Sequence, residues 1–121
     1  MMKKKILIIE DNELNLELLN DILDYNNYEV LSAINGEIGV EIAHRYKPDL
    51  ILMDLALPGI NGFEAADKIH SHEELNHIPI LAVTSSVMPS DIDHIFRQGF
   101  TDLVPKPINT RSIIKKINKY L

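Results

Sequence analysis

Five times along 121 residues, a short apolar run rich in branched side chains is followed by a longer stretch with apolar positions at three- and four-residue intervals. This alternation is the strongest constraint on the fold, because strands repeat every two residues and amphipathic helices every 3.6. The first run, Ile6-Leu7-Ile8-Ile9, and the third, Leu50-Ile51-Leu52-Met53, contain no polar residue. Strands of that kind belong inside a parallel sheet covered on both faces. The pattern therefore predicts an α/β class: a single doubly wound (βα)5 open parallel sheet with helices on both faces. The length predicts one domain over residues 1–121 and no output domain.

Local signals set the expected elements. Asn12 caps a first helix whose Leu18, Leu19, Ile22 and Leu23 make one stripe, and Asn26-Asn27 stops it. A strand over Glu29 to Ala33 leads through a turn at Asn35-Gly36 into a helix from Glu37 to Tyr46, with Ile38, Ile42 and Ala43 inward. Lys47-Pro48 ends that helix. After the third strand, Pro58-Gly59 and Asn61-Gly62 punctuate a loop before a short helix from Phe63 to His70. Ile78 to Val83 reads as strand four and Pro89 to Gln98 as helix four. Leu103-Val104 reads as a short strand five, and Thr110 to Leu121 as a last helix with Ile113, Ile114 and Ile117 inward.

Doubly wound sheets hold their sites beyond the carboxyl ends of the strands. Four polar groups fall there: Glu10-Asp11 after strand one, Asp54 after strand three, Thr84-Ser85-Ser86 after strand four and Lys106 after strand five. Singly, each has an ordinary structural role. The acids serve as caps or solvated surface, the hydroxyls as turn residues, and Lys106 as a surface cation. Together they make a different site. Carboxylates gathered on one rim repel one another, and a hard divalent cation with oxygen ligands relieves that repulsion. Mg²⁺ suits an open rim, because it keeps several waters and accepts few protein carboxylates. A lysine cation and a threonine hydroxyl beside such a carboxylate supply charge neutralisation, a donor and a nucleophile for phosphoryl chemistry. Pro105 and Pro107 flank Lys106 and restrict its backbone, and the Lys106-Pro107 bond is a candidate cis peptide.

Composition removes other classes. The net charge of −6 argues against phosphate-backbone binding, so no nucleic-acid partner is expected. The run Ile6 to Ile9, broken at once by Glu10-Asp11, is too short for export or membrane spanning. Lys3-Lys4-Lys5 is offset by nearby acids, so no membrane partner is expected and the default compartment is the cytoplasm. Absence of cysteine excludes disulfides and thiolate metal sites, and the five histidines show no i, i+4 pair that would favour zinc.

Ile8-Ile9-Glu10-Asp11-Asn12, Leu52-Met53-Asp54 with Pro58-Gly59, Ala82-Val83-Thr84 and Lys106-Pro107 resemble the signature positions of response-regulator receiver domains, which are CheY-like and flavodoxin-like in fold. The opening segment and His77-Ile78-Pro79-Ile80 are similar to single-domain DivK-like regulators. The resemblance covers essentially the whole chain, and its motifs occur in the family's order and spacing. It implies a phosphoacceptor, Asp54, and a Mg²⁺ site made by Glu10, Asp11, Asp54 and the backbone carbonyl of Ala56. It also implies phosphoryl-binding and switch roles for Thr84 and Lys106. The implied function is two-component signalling: a phosphohistidine donor, either a sensor histidine kinase or a histidine phosphotransfer protein, phosphorylates Asp54, and partner binding to a downstream protein target changes. The protein is then a signalling phosphoprotein with self-phosphorylation and self-dephosphorylation chemistry, rather than an enzyme in the usual sense.

Some positions depart from that pattern. Leu103 stands where receivers usually carry the Tyr or Phe switch, and Phe100 is the nearby aromatic that can replace it. Ala56 and Ser86 occupy positions that tune dephosphorylation in the family, and neither can orient water as an amide or carboxylate does. Ser85 replaces the usual Ala or Gly and stays small. Rival readings fit less well. Haloacid-dehalogenase-type phosphatases carry a second aspartate where this chain has Ala56, and an FMN carrier needs a glycine- and hydroxyl-rich loop where it has Glu10-Asp11-Asn12. The remaining alternative is a receiver-fold protein-binding module that works without phosphorylation.

Overall fold

The computed structural model describes residues 3–85 and 88–121. In chain order the elements are β1 (Lys5–Ile9), α1 (Glu13–Tyr25), β2 (Glu29–Ala33), α2 (Gly36–Tyr46), β3 (Leu50–Asp54), α3 (Gly62–His70), β4 (Ile80–Thr84), α4 (Pro89–Arg97), β5 (Asp102–Pro105) and α5 (Thr110–Tyr120). All strand pairs are parallel, in the order β2-β1-β3-β4-β5. The order reverses between β1 and β3, and a crevice opens at such a reversal beyond the strand ends.

The alternation of strand side chains divides the core in two. Leu7, Ile9, Ile51, Met53, Ile80 and Ala82 face a cluster completed by α2, α3 and α4. Their sequence neighbours Ile6, Ile8, Leu50, Leu52, Leu81 and Val83 face a second cluster completed by α1 and α5. Each fully buried Leu or Ile contributes about 2 kcal/mol relative to exposure, so these continuous runs stabilise the sheet from both faces.

Four of the five helices begin with an asparagine whose side chain accepts the backbone N–H three residues on: Asn12 from Asn15, Asn35 from Ile38, Asn61 from Glu64 and Asn109 from Ser112. Asn35-Gly36 and Asn61-Gly62, read from sequence as turns, are therefore helix caps followed by the first helical residue. Glycine is needed after Asn61 for space: a Cβ on Gly62 would lie 2.6 Å from the Asp54 carbonyl oxygen and 2.8 Å from Leu55 Cα. Backbone atoms cannot yield as side-chain ends do. The start of α3 is thus packed directly on the end of β3.

Several expected details are corrected. Leu18 and Ile38 are exposed, because α1 buries Leu19, Ile22 and Leu23, and α2 buries Gly36, Gly39 and Ala43. A Cβ on Gly39 would meet the Ile9 side chain at 2.4 Å, so α2 lies too close to β1 for a broad apolar stripe. Ile42 and Ile114 are half-buried. Strand four starts at Ile80 rather than Ile78, and it includes Thr84. The Ile78 N–H is instead taken by Leu75 in a turn, and Pro79 has no N–H to give a ladder. Strand three likewise includes Asp54.

Strand β5 is short and is tied to α5 by polar contacts. Asp102 accepts from Leu103 N at 2.8 Å and Tyr120 Oη at 2.8 Å, and pairs with Lys116 Nζ at 3.4 Å. Lys116 Nζ also donates to the Leu103 carbonyl. Burial alone would raise the Asp102 carboxyl, but these donors and the Lys116 cation outweigh it and hold it below its ordinary value of 3.8.

Two outcomes are expected. Gly62→Ala should cost about 2 kcal/mol, the range for forcing extra volume into a packed site, and an unchanged urea midpoint would refute this packing argument. Asp102, ionised more readily when folded, adds stability that is present above its ordinary value and lost as pH falls through the lowered one. Tyr120→Phe should therefore lower the melting temperature at neutral pH, and the gap to wild type should narrow as acid protonates Asp102. A gap that widens in acid would contradict the assignment.

Candidate functional site

Glu10 and Asp11 leave the end of β1, Asp54 closes β3, Thr84 closes β4, and Lys106 follows β5. The sheet thus brings together all four groups expected from the sequence. The backbone N–H of Lys106 donates to the Thr84 carbonyl at 2.8 Å, which carries the β4–β5 pairing up to the site. The Lys106-Pro107 peptide is cis.

Asp54, 4% exposed, has both carboxylate oxygens engaged. Oδ1 accepts from Ala56 N at 3.0 Å, and Oδ2 lies 3.3 Å from Lys106 Nζ. Lys106 Nζ is also 3.9 Å from Glu10 Oε1. Glu10 is 2% exposed; its Oε1 accepts from Asn15 Nδ2 at 2.8 Å, and its Oε2 is buried without a donor among the described residues. Glu10, Asp11 and Asp54 each offer a carboxylate oxygen within 4.8 Å of the others. Asp11 is exposed, so the group has one solvent-facing side.

The electrostatics follow from this crowding. Burial, then the hydrogen bond and charge of Asp54, push the Glu10 carboxyl up to about 7, against the opposing effect of Asn15 and Lys106. Asp54 moves the other way. Burial raises it, but the hydrogen bonds from Glu10 and Ala56 and the Lys106 cation outweigh burial and lower it below 3.8. Two carboxylates in contact satisfy each other only by sharing a proton or a cation. The lowering favours an anionic Asp54 beside a lysine, the state a nucleophilic carboxylate requires. Three hard oxygen donors, one orphaned and buried, fit a divalent cation such as Mg²⁺ rather than a softer metal.

A cleft runs from Asp54 and Lys106 past Thr84 and Ser85 to a wall of Phe63, Asp91, His94 and Ile95. The Phe63 ring packs on His94 at 4.8 Å between centroids and edge-on to Phe100 at 5.7 Å. Phe100 is buried, and Leu103 packs against the same cluster from β5. Phe100 thus stands behind the Phe63 wall of the cleft, in the same cluster as Leu103. Ala56 is exposed at the rim, and Ser86 lies outside the described residues. Sequence reading missed Asn15, Phe63 and His94. Asn15 carries a weak signal, since asparagine is a poor helix former and stands here as the third residue of α1.

The chain matches the response regulator receiver domain family over residues 6–118. It belongs to that family. It is 38% identical over 120 residues to the polar-differentiation response regulator DivK of Brucella anthropi, covering 99% of this chain and 98% of DivK. The receiver domain of the Pseudomonas aeruginosa sensor histidine kinase PA1611, solved with a magnesium ion coordinated in its active-site cleft, superposes with a TM-score of 0.91 at 28% identity, covering 98% of each chain. The receiver domain of Ssk1 from Saccharomyces cerevisiae, solved with the histidine phosphotransfer protein Ypd1, superposes at 0.90 with 32% identity, covering 98% of this chain and 88% of Ssk1's. The receiver is thus a CheY-like response regulator of two-component signal transduction, a signalling protein with a doubly wound (βα)5 fold. Among the described residues, no helix is long and apolar enough to cross a membrane.

Proposed function

We propose that this receiver accepts a phosphoryl group on Asp54 from a phosphohistidine donor and that phosphorylation changes which protein it binds. The observation that carries this reading is the Asp54 carboxylate itself, oriented by Ala56 N and Lys106 Nζ and lining the cleft. An Asp54 oxygen attacks phosphorus in line, the O–P bond forms as the P–N bond to the donor imidazole breaks, and the electron pair of that bond stays on the imidazole nitrogen. Lys106 faces the incoming oxygens with its cation, and the Thr84 hydroxyl at the end of β4 donates to the product's phosphoryl group. Glu10, Asp11, Asp54 and the Ala56 carbonyl would hold Mg²⁺, which supplies neutralisation of the transferring oxygens' charge. Such self-catalysed chemistry needs no second active site. Loss of the phosphoryl group is governed by water access, since Ala56 carries no side chain able to orient a water.

The donor reaches Asp54 from the rim. Leu14, 77% exposed in the first turn of α1 beside Asp11, and Leu18 one turn later, 44% exposed, form an apolar ridge there. A histidine phosphotransfer protein or a sensor kinase docking on this ridge would carry its phosphohistidine to the cleft; the similar Ssk1 receiver was solved together with the histidine phosphotransfer protein Ypd1. The working compartment is the cytoplasm, where such donors present their phosphohistidine.

Incubation with a small phosphodonor and Mg²⁺ should add one phosphoryl group by intact mass, and Asp54→Ala should gain none. Equal gain in Asp54→Ala would sink the assignment. No gain in wild type would favour a module that binds partners without phosphorylation, the reading to which Leu103 in the switch position points. Lys106→Met should slow the transfer about 100-fold, the usual loss when a charge-stabilising donor is removed. Leu14→Glu should slow transfer from a phosphotransfer protein and leave the small-donor rate unchanged; slowing of both would place Leu14 in the site's chemistry rather than in docking.

A further inference from the structure

We propose that Asn15 is a positioning residue for the cation site: its side-chain amide pins the Glu10 carboxylate in the orientation that ligates the metal. The inference rests on the Mg²⁺-dependent reading above and concerns how this chain prepares the site. Asn15 is the third residue of α1, and its backbone N–H is already taken by the Asn12 cap at 3.0 Å. A glutamate or glutamine here would fold back to the cap residue's own N–H. The Asn15 arm is too short for that box, and it reaches out of the helix instead, placing Nδ2 2.8 Å from Glu10 Oε1. Because an ionised carboxylate only accepts, the amide must present its NH₂ side to Glu10.

Asn15 suits this task because of what surrounds Glu10. Lys106 is 3.9 Å from the same Oε1 but 3.3 Å from Asp54, so its cation sits nearer the nucleophile. The neutral amide therefore supplies the shorter contact and fixes the carboxylate plane without cancelling the charge a metal needs. With Oε1 held, the buried and donorless Oε2 is the acceptor left for a cation. Rotation of the carboxylate would break the Asn15 bond at a residue that is 2% exposed, where water cannot readily replace it. The cap Asn12, the amide Asn15 and the ligand Glu10 form one chain of contacts, so the start of α1 and the metal site are built as a unit.

The test measures Mg²⁺ binding to the full chain by isothermal titration without phosphodonor, in wild type, Asn15→Leu and Asn15→Ala. Leucine keeps the branched shape without the amide and both residues favour helix, so folding is preserved and circular dichroism verifies it. Both variants should weaken Mg²⁺ binding about 10-fold, the low end for losing a group that orients a metal ligand. In phosphorylation assays the Mg²⁺ half-saturation should rise by the same factor, while the rate at saturating Mg²⁺ stays within about twofold of wild type. A merely structural role would lower the melting temperature without this split. Unchanged Mg²⁺ affinity in either folded variant overturns the proposal and leaves the phosphoacceptor reading intact. If wild type itself binds no Mg²⁺, the metal reading fails, and this inference fails with it.

Discussion

The parallel strands at the centre of this sheet are buried on both faces, and the rest of the structure follows from that condition. Every side chain of β3 and β4 is buried, as are Ile6 to Ile9 of β1. No polar group can be placed along such strands without a partner, since burying one unpaired costs a few kcal/mol. Chemistry is therefore confined to the ends, where the chain leaves the sheet. The strand order reverses between β1 and β3, so those two ends lie side by side and their acids meet.

That meeting is unfavourable unless a positive charge or a proton joins it. Lys106 supplies part of the compensation after β5, Ala56 N supplies a donor from the loop after β3, and burial beside Asp54 pushes the Glu10 carboxyl up to about 7. The acids are thus held close together by packing, and a cation among them would relieve their repulsion. Close packing keeps the frame rigid. Gly62 lets α3 seat directly on the Asp54 carbonyl, and Gly39 lets α2 seat on Ile9. The acids cannot escape their repulsion by a shift of backbone.

Position 103 carries an aliphatic side chain rather than an aromatic ring. Leu103 is apolar, half-buried and packed into the α2–α3–α4 cluster. It has no polar tip to exchange between solvent and the cleft. The aromatic groups near the site are Phe63, His94 and Phe100, which stack from the cleft wall into the core. β5 is meanwhile anchored to α5 by Asp102, Lys116 and Tyr120.

Period and composition determined the fold class, because continuous apolar runs admit only strands covered on both sides and the amphipathic stretches supply the covers. They also determined that acids, hydroxyls and a lysine leave the same ends of their strands, which put Glu10, Asp11, Asp54, Thr84 and Lys106 on one rim. Tertiary structure decided what depends on distances between segments. The exposure of Leu18 and Ile38 follows from how closely each helix approaches the sheet, which periodicity does not encode. Asn35 and Asn61 became caps once the glycines after them had a neighbour to pack against. Asn15 looked like an ordinary helical position until β1 brought Glu10 within 2.8 Å of its amide. A linear pattern records which face a residue prefers, whereas a hydrogen bond between a helix and a strand end exists only when packing has set the gap.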